Sequence, residues 1–104
     1  MRLELEDNTV INDPTHSQVE KVMRSLRTSG RSFAILEKQP GYYMQTVKND
    51  DGSFTVEYQD GSLEQHFESS YYIYVDEVIE ILLQYLDGCT NWKSRHVWKQ
   101  IRLR

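Results

Sequence analysis

Residues 32–68 read SFAILEKQPGYYMQTVKNDDGSFTVEYQDGSLEQHFE, and this stretch decides the fold. Phe33-Ala34-Ile35-Leu36 is a short continuous apolar run, the pattern of a strand buried on both faces or nearly so. Pro40-Gly41 turns the chain, and Tyr42 to Lys48, rich in aromatic and β-branched residues, follows as a second strand. Asn49-Asp50-Asp51-Gly52 is a hairpin signal. Beyond it Phe54, Val56 and Tyr58 share one face, with Thr55 and Glu57 on the other. Asp60-Gly61 marks another tight hairpin, after which Leu63, Gln65 and Phe67 alternate with Glu64, His66 and Glu68. Four strands joined by short turns make an antiparallel meander.

Helices flank the meander. Upstream, Leu3 and Leu5 alternate with Glu4 and Glu6 as a half-buried strand, and residues 8–13 are turn-rich. Asp13-Pro14 then reads as an N-cap followed by proline at the first helical position. Val19, Val22, Met23 and Leu26 form the stripe of an amphipathic helix over 14–29, with Arg24 and Arg27 near its C-terminal end and Gly30 as its stop. Downstream, Tyr71-Tyr72-Ile73-Tyr74 has a strand-like composition. Val75, Val78, Ile79, Leu82 and Leu86 then form a helical stripe, widened by Ile81, Leu83 and Tyr85. Asp76, Glu77 and Glu80 suit its N-terminal half and Gly88 ends it. Val97 to Leu103 resumes a strand; Val97, Ile101 and Leu103 share a face only together with Lys99, and Trp98 then points the other way. The order is β-α-β-β-β-β-α-β, an α+β domain over 1–104: a mostly antiparallel meander sheet with two helices packed on one face.

The chain has 104 residues and a mass of 12.4 kDa, 38% of them hydrophobic and 27% charged. That places it outside the disordered and membrane classes. At this mass the folded surface is expected near ~6,100 Å² against ~18,000 Å² unfolded, enough burial for one core. No apolar run approaches the ~18 residues of a spanning helix, and MRLELEDN has no signal-like apolar segment. One cysteine, Cys89, excludes an internal disulfide and a cysteine-rich zinc site. A cytoplasmic protein without a membrane partner is expected.

Charge is segregated along the chain. The net charge is −4, yet residues 50–87 carry ten acids and no Lys or Arg, whereas residues 88–104 carry five bases and no acid. A chain that bound phosphates over a broad face would not gather its acids this way, so direct nucleic-acid binding is not expected. The acids make either an ordinary solvated face or one that steers a basic partner.

Catalytic, cofactor and metal sites are not expected. His16, His66 and His96 lack a second ligand at metal-like spacing. Glu64, His66 and Glu68 form a row that could hold a metal or act as acid and base, but it reads first as the wet face of a strand. Cys89 follows a helix end, away from the dipole that would acidify a thiol, so pairing with His96 as a nucleophile is a remote reading. The five glycines are turn and cap residues, not a phosphate loop. Tyr42, Tyr43, Tyr58, Tyr71, Tyr72 and Tyr74 cluster in the strand half, where core packing is expected to take roughly two-thirds of them.

The stretch Gly52-Ser53-Phe54-Thr55-Val56-Glu57-Tyr58-Gln59-Asp60-Gly61, then Gln65-His66-Phe67, Val75-Asp76-Glu77-Val78-Ile79 with Tyr85-Leu86, and Trp92-Lys93-Ser94 with Trp98, resembles a known family. It is similar to the small α+β immunity proteins found beside toxin genes in bacterial polymorphic-toxin systems, the first-numbered immunity family. Where that family often has a serine-type cap before the second helix, this chain has Tyr74. The resemblance implies a non-enzyme that binds a cognate toxin domain, often nucleic-acid-directed, and blocks its active site. On that reading Asp50, Asp51, Asp60, Glu64, Glu68 and Glu77 steer the encounter, while Tyr43, Tyr58, Tyr71 or Trp92 anchor it. Two alternatives stand beside it. One is a small-ligand or enzyme domain with a tyrosine-lined pocket and His66 with Glu64 or Glu68 as base. The other is a homodimeric scaffold using an edge strand or the wide face of the second helix.

Overall fold

Turn chemistry sets the register of the sheet. The computed structural model describes residues 1–26 and 32–101. Its strands are β1 (Arg2–Leu5), β2 (Val10–Asn12), β3 (Ser32–Gln39), β4 (Tyr42–Lys48), β5 (Phe54–Asp60), β6 (His66–Ser69) and β7 (Trp98–Ile101). The helices are α1 (His16–Ser25), α2 (Val75–Leu86) and the short α3 (Asn91–Arg95). The seven strands make one sheet in the order β2-β1-β3-β4-β5-β6-β7, and every neighbouring pair is antiparallel. The α+β meander expected from the sequence is the one observed.

Leu3, Leu36, Met44, Tyr58 and Phe67 lie side by side across five strands, with Ala34, Thr46 and Val56 in the next row. These side chains face the helices. Val19 and Met23 of α1, and Val78, Ile79, Ile81 and Leu82 of α2, are buried against them. Even the polar member of the row is satisfied: the Thr46 hydroxyl donates to the Ala34 carbonyl at 3.3 Å and lies 3.7 Å from Met23 Sδ. The other face carries Ile35, Tyr43, Gln45, Glu57, Gln59, His66 and Glu68, by the alternation of a strand.

Two turns meet at one end of the sheet. Gly41 and Gly61 both have positive φ (87° and 99°), and the Gly61 amide donates to the Gly41 carbonyl at 2.9 Å. A Cβ on Gly41 would lie 2.8 Å from the Gly61 carbonyl oxygen, so this junction needs glycine for space as well as for backbone conformation.

Local structure departs from the sequence reading at several points. The N-cap of α1 is Thr15, not Asp13: the Thr15 hydroxyl accepts from the Gln18 amide at 3.2 Å, and the Gln18 side chain accepts from the Thr15 amide at 2.9 Å. Asp13 takes φ +50° and binds the N-terminal ammonium at 3.0 Å, closing the β1–β2 hairpin instead. That hairpin adds β2, only three residues long, inside the stretch read as a turn. Leu63–Gln65 is a 3-10 turn, so β6 begins at His66 and Glu64 leaves the strand row. The loop after α2 contains α3. The Gly30 stop, Arg27 and Leu103 lie outside the described residues.

The last strand alternates as its sequence implies: Lys99 and Ile101 lie opposite Glu68 and His66, and Trp98 takes the other face. Trp98 turns inward, with Tyr58 at 4.9 Å between ring centroids and Trp92 at 5.6 Å, while Val97 is exposed. The reason is the aromatic cluster around Tyr58, which also stacks on Phe67 at 4.9 Å and meets Trp92 edge-on at 4.8 Å. An indole joining three rings buries more apolar area than a valine in its place.

Candidate partner-binding surface

The β4–β5 turn is held rigid by its own side chains. Asp51 Oδ1 accepts from the Ser53 amide at 2.9 Å and from the Ser53 hydroxyl, and these bonds hold the carboxyl below the usual aspartate range. The Asn49 amide donates to the Ser53 carbonyl at 2.7 Å, and the Asn49 side chain reaches Thr55 Oγ1 at 3.2 Å. Asp50 and Asp51 are both exposed.

Beside this turn the chain returns from β6. Phe54 and Ile73 exchange backbone hydrogen bonds of 2.7 and 2.9 Å, which clamps the segment before α2 onto the start of β5. Ile73 is buried there, whereas Tyr71, Tyr72 and Tyr74 are 69%, 63% and 65% exposed. Asp76 and Glu77 follow in the first turn of α2, both exposed. Asp50, Asp51, Tyr72, Tyr74, Asp76 and Glu77 therefore gather at one end of the molecule.

The remaining predicted residues are elsewhere. Asp60 and Glu64 lie near the opposite end of β5, about 20 Å away for a seven-residue strand. Asp60 pairs with Lys93 at 2.8 Å, while Glu64 is exposed. Glu68 and Tyr43 lie on the face away from the helices. Tyr58 and Trp92, expected as anchors, are core residues at 6% and 2% exposure. Their rings form the aromatic cluster, and Trp92 Nε1 donates to the Cys89 carbonyl at 3.0 Å. Burial raises the Tyr58 hydroxyl above its usual pKa, with Asp60 adding to it. Burial likewise raises Tyr43, helped by Glu57.

Core packing accounts for fewer of the strand-half tyrosines than expected. Of the six, Tyr58 alone is buried, and Tyr71, Tyr72 and Tyr74 are mostly exposed. The Tyr-Tyr-Ile-Tyr composition was the available signal for Tyr72 and Tyr74. It misled because only Ile73 points inward from the clamped segment.

His66 is likewise not on a wet face. It is 2% exposed, under Tyr43 at 6.0 Å between ring centroids. Its Nε2 lies 2.9 Å from Glu57 Oε1 and its Nδ1 lies 3.1 Å from Gln59 Oε1. Gln59 is oriented in turn, donating to the Gly41 carbonyl at 3.3 Å and accepting from the Tyr43 hydroxyl at 3.3 Å. This network ties β4, β5 and β6 together on the face away from the helices. Among the described residues no group of His, Cys, Asp and Glu is placed to hold a metal ion. A groove of about 220 Å³ beside Tyr43 is lined by Arg2, Glu4, Ile35, Glu37 and Gln45. No helix of the described residues is long and apolar enough to cross a membrane.

Compared with family models, with curated proteins and with solved structures, the chain matches none.

Proposed function

We propose that the chain is an immunity-type inhibitor, a non-enzymatic protein that binds a cognate toxin domain acting on nucleic acid and blocks its active site. One observation carries this reading beyond the motif resemblance. Of the ten acids in residues 50–87, three are paired with a Lys or Arg: Asp60 with Lys93, Asp76 with Arg24 and Glu80 with Arg95, while Glu57 and Asp87 share hydrogen bonds with His66 and His16. Asp50, Asp51, Glu64, Glu68 and Glu77 have no ion pair among the described residues. The basic C-terminal segment thus offsets only part of the acidic one. An acidic surface of this kind complements the basic groove of a nucleic-acid-handling toxin, raising the encounter rate and excluding wrong partners.

The test is a pull-down with this protein as bait against the product of the adjacent gene, followed by co-expression. The expected result is a 1:1 complex and restored growth. A folded, toxic neighbour that neither binds nor is neutralised overturns the reading.

A further inference from the structure

We infer that the partner docks on the end of the molecule built by Tyr72 and Tyr74, and that the docked surface is a basic protein face. This rests on the partner-binding reading above and assigns that binding to one place.

The decisive residue is Tyr74. It occupies the N-cap of α2, where its carbonyl accepts from the Val78 amide at 3.0 Å, yet its side chain caps nothing. Ser, Thr, Asp or Asn at that position would satisfy an unpaired helix amide. The same chain caps α1 fully, with Thr15 and Gln18 bonding reciprocally. At α2 it places a phenol ring that is 65% exposed and makes no capping hydrogen bond. A local rule broken without structural gain marks a position that serves something else. Tyr72 lies on the same side of the clamped segment by strand alternation, opposite buried Ile73.

Tyrosine suits a protein interface. It is rigid, large and amphipathic, with little rotamer entropy to lose. With Tyr71 flanking them, the three rings expose roughly 400 Å², if a side chain offers about 200 Å². That is about half of one partner's share of a standard interface of ~800 Å² per side.

Charge identifies the occupant. Asp50, Asp51 and Glu77 border the rings without ion pairs among the described residues. Three bases are described nearby, each engaged: Arg24 with Asp76 and Glu20, Lys48 with the Leu26 carbonyl at 3.3 Å, and Arg95, which shares a groove with Tyr71 and Ile73, with Glu80 at 2.7 Å. Aromatic faces also attract Arg and Lys directly, so rings and carboxylates select the same partner chemistry.

Two measurements separate this proposal from the reading beneath it. First, the 15N-labelled protein is titrated with an arginine-rich decapeptide. Amide shifts concentrated at Tyr72, Tyr74, Asp50, Asp51 and Glu77 are expected. Shifts at Asp60 and Glu64 instead, or at none of these residues, overturn the proposal. Second, wild type, Tyr72→Ala and Tyr74→Ser are compared for thermal stability and for binding to the adjacent-gene product. Tyr74→Ser is expected to raise Tm while weakening binding at least tenfold, a combination that a structural role for the ring does not produce. Binding unchanged in both variants overturns the docking site and leaves the immunity reading standing. Wild type failing to bind that product overturns the immunity reading, and the peptide titration then decides the docking site alone.

Discussion

At the scale of single residues, burial rather than charge sets the most distinctive behaviour. His66 bonds to Glu57 and Gln59 at once, on the face away from the described helices. His66→Ala removes both bonds and the packing of the ring beneath Tyr43, while Gln59 keeps its bonds to Tyr43 and Gly41 and Glu57 stays partly in water, and is expected to cost about 1–2 kcal/mol in denaturant unfolding. A loss below about 0.5 kcal/mol would show that the network contributes little. Tyr85 titrates far from the usual range, pushed up to about 12 by burial first, with Asp60 and Glu37 adding to it. The native state therefore keeps its proton while the unfolded chain, ionising near 10, loses it. Stability is then full below pH 10 and falls as pH rises from 10 toward 12. A spectrophotometric titration should show a phenol ionising near pH 12 that is absent from Tyr85→Phe, and that variant should lose less stability over the same pH window. The burial of His66 was not legible, because alternation tells which face a residue takes but not whether a neighbour such as Tyr43 closes over it.

At the scale of elements, turns and apolar periodicity made most of the fold readable. Pro40-Gly41, Asn49–Gly52 and Asp60-Gly61 punctuate the meander, and the stripes of Val19, Met23, Val78 and Leu82 fix two helices. What escaped was short: β2 has three residues and α3 five, too few for a period to show. Asp13 and Thr15 are both good caps by composition, and the choice between them rests on a hairpin contact to the N-terminus 12 residues away. Thr15→Ala is expected to cost about 1 kcal/mol, readable as a lower denaturation midpoint at unchanged slope. The Gly41–Gly61 junction is more demanding. Gly41→Ala forces a left-handed alanine, about 1–2 kcal/mol, and drives its Cβ onto the Gly61 carbonyl at 2.8 Å. A variant as stable as wild type would mean that the two turns separate at little cost.

At the scale of the whole molecule, the described structure exposes 6364 Å², close to the ~6,100 Å² expected for one domain of this mass. Its charge distribution was legible only in part. The sequence shows an excess of acid in 50–87, but strand length splits those residues between two ends, and pairing with Arg24, Lys93 and Arg95 removes three of them. Tyr58 and Trp92 were indistinguishable from surface anchors because core and interface favour the same residue types. Glu64 and Glu68 stay unpaired elsewhere, and the end where unpaired acids meet exposed aromatic rings is that of Asp50, Asp51 and Glu77 with Tyr72 and Tyr74. The most direct measurement of its role is the association rate with the proposed partner, the adjacent-gene product, for wild type and for Asp50→Lys/Asp51→Lys/Glu77→Lys, from low to physiological salt. Wild type is expected to associate about tenfold faster or more at low salt, with the difference shrinking as salt screens the charges. Equal rates at low salt, with both proteins folded, would contradict acidic steering at this end of the molecule.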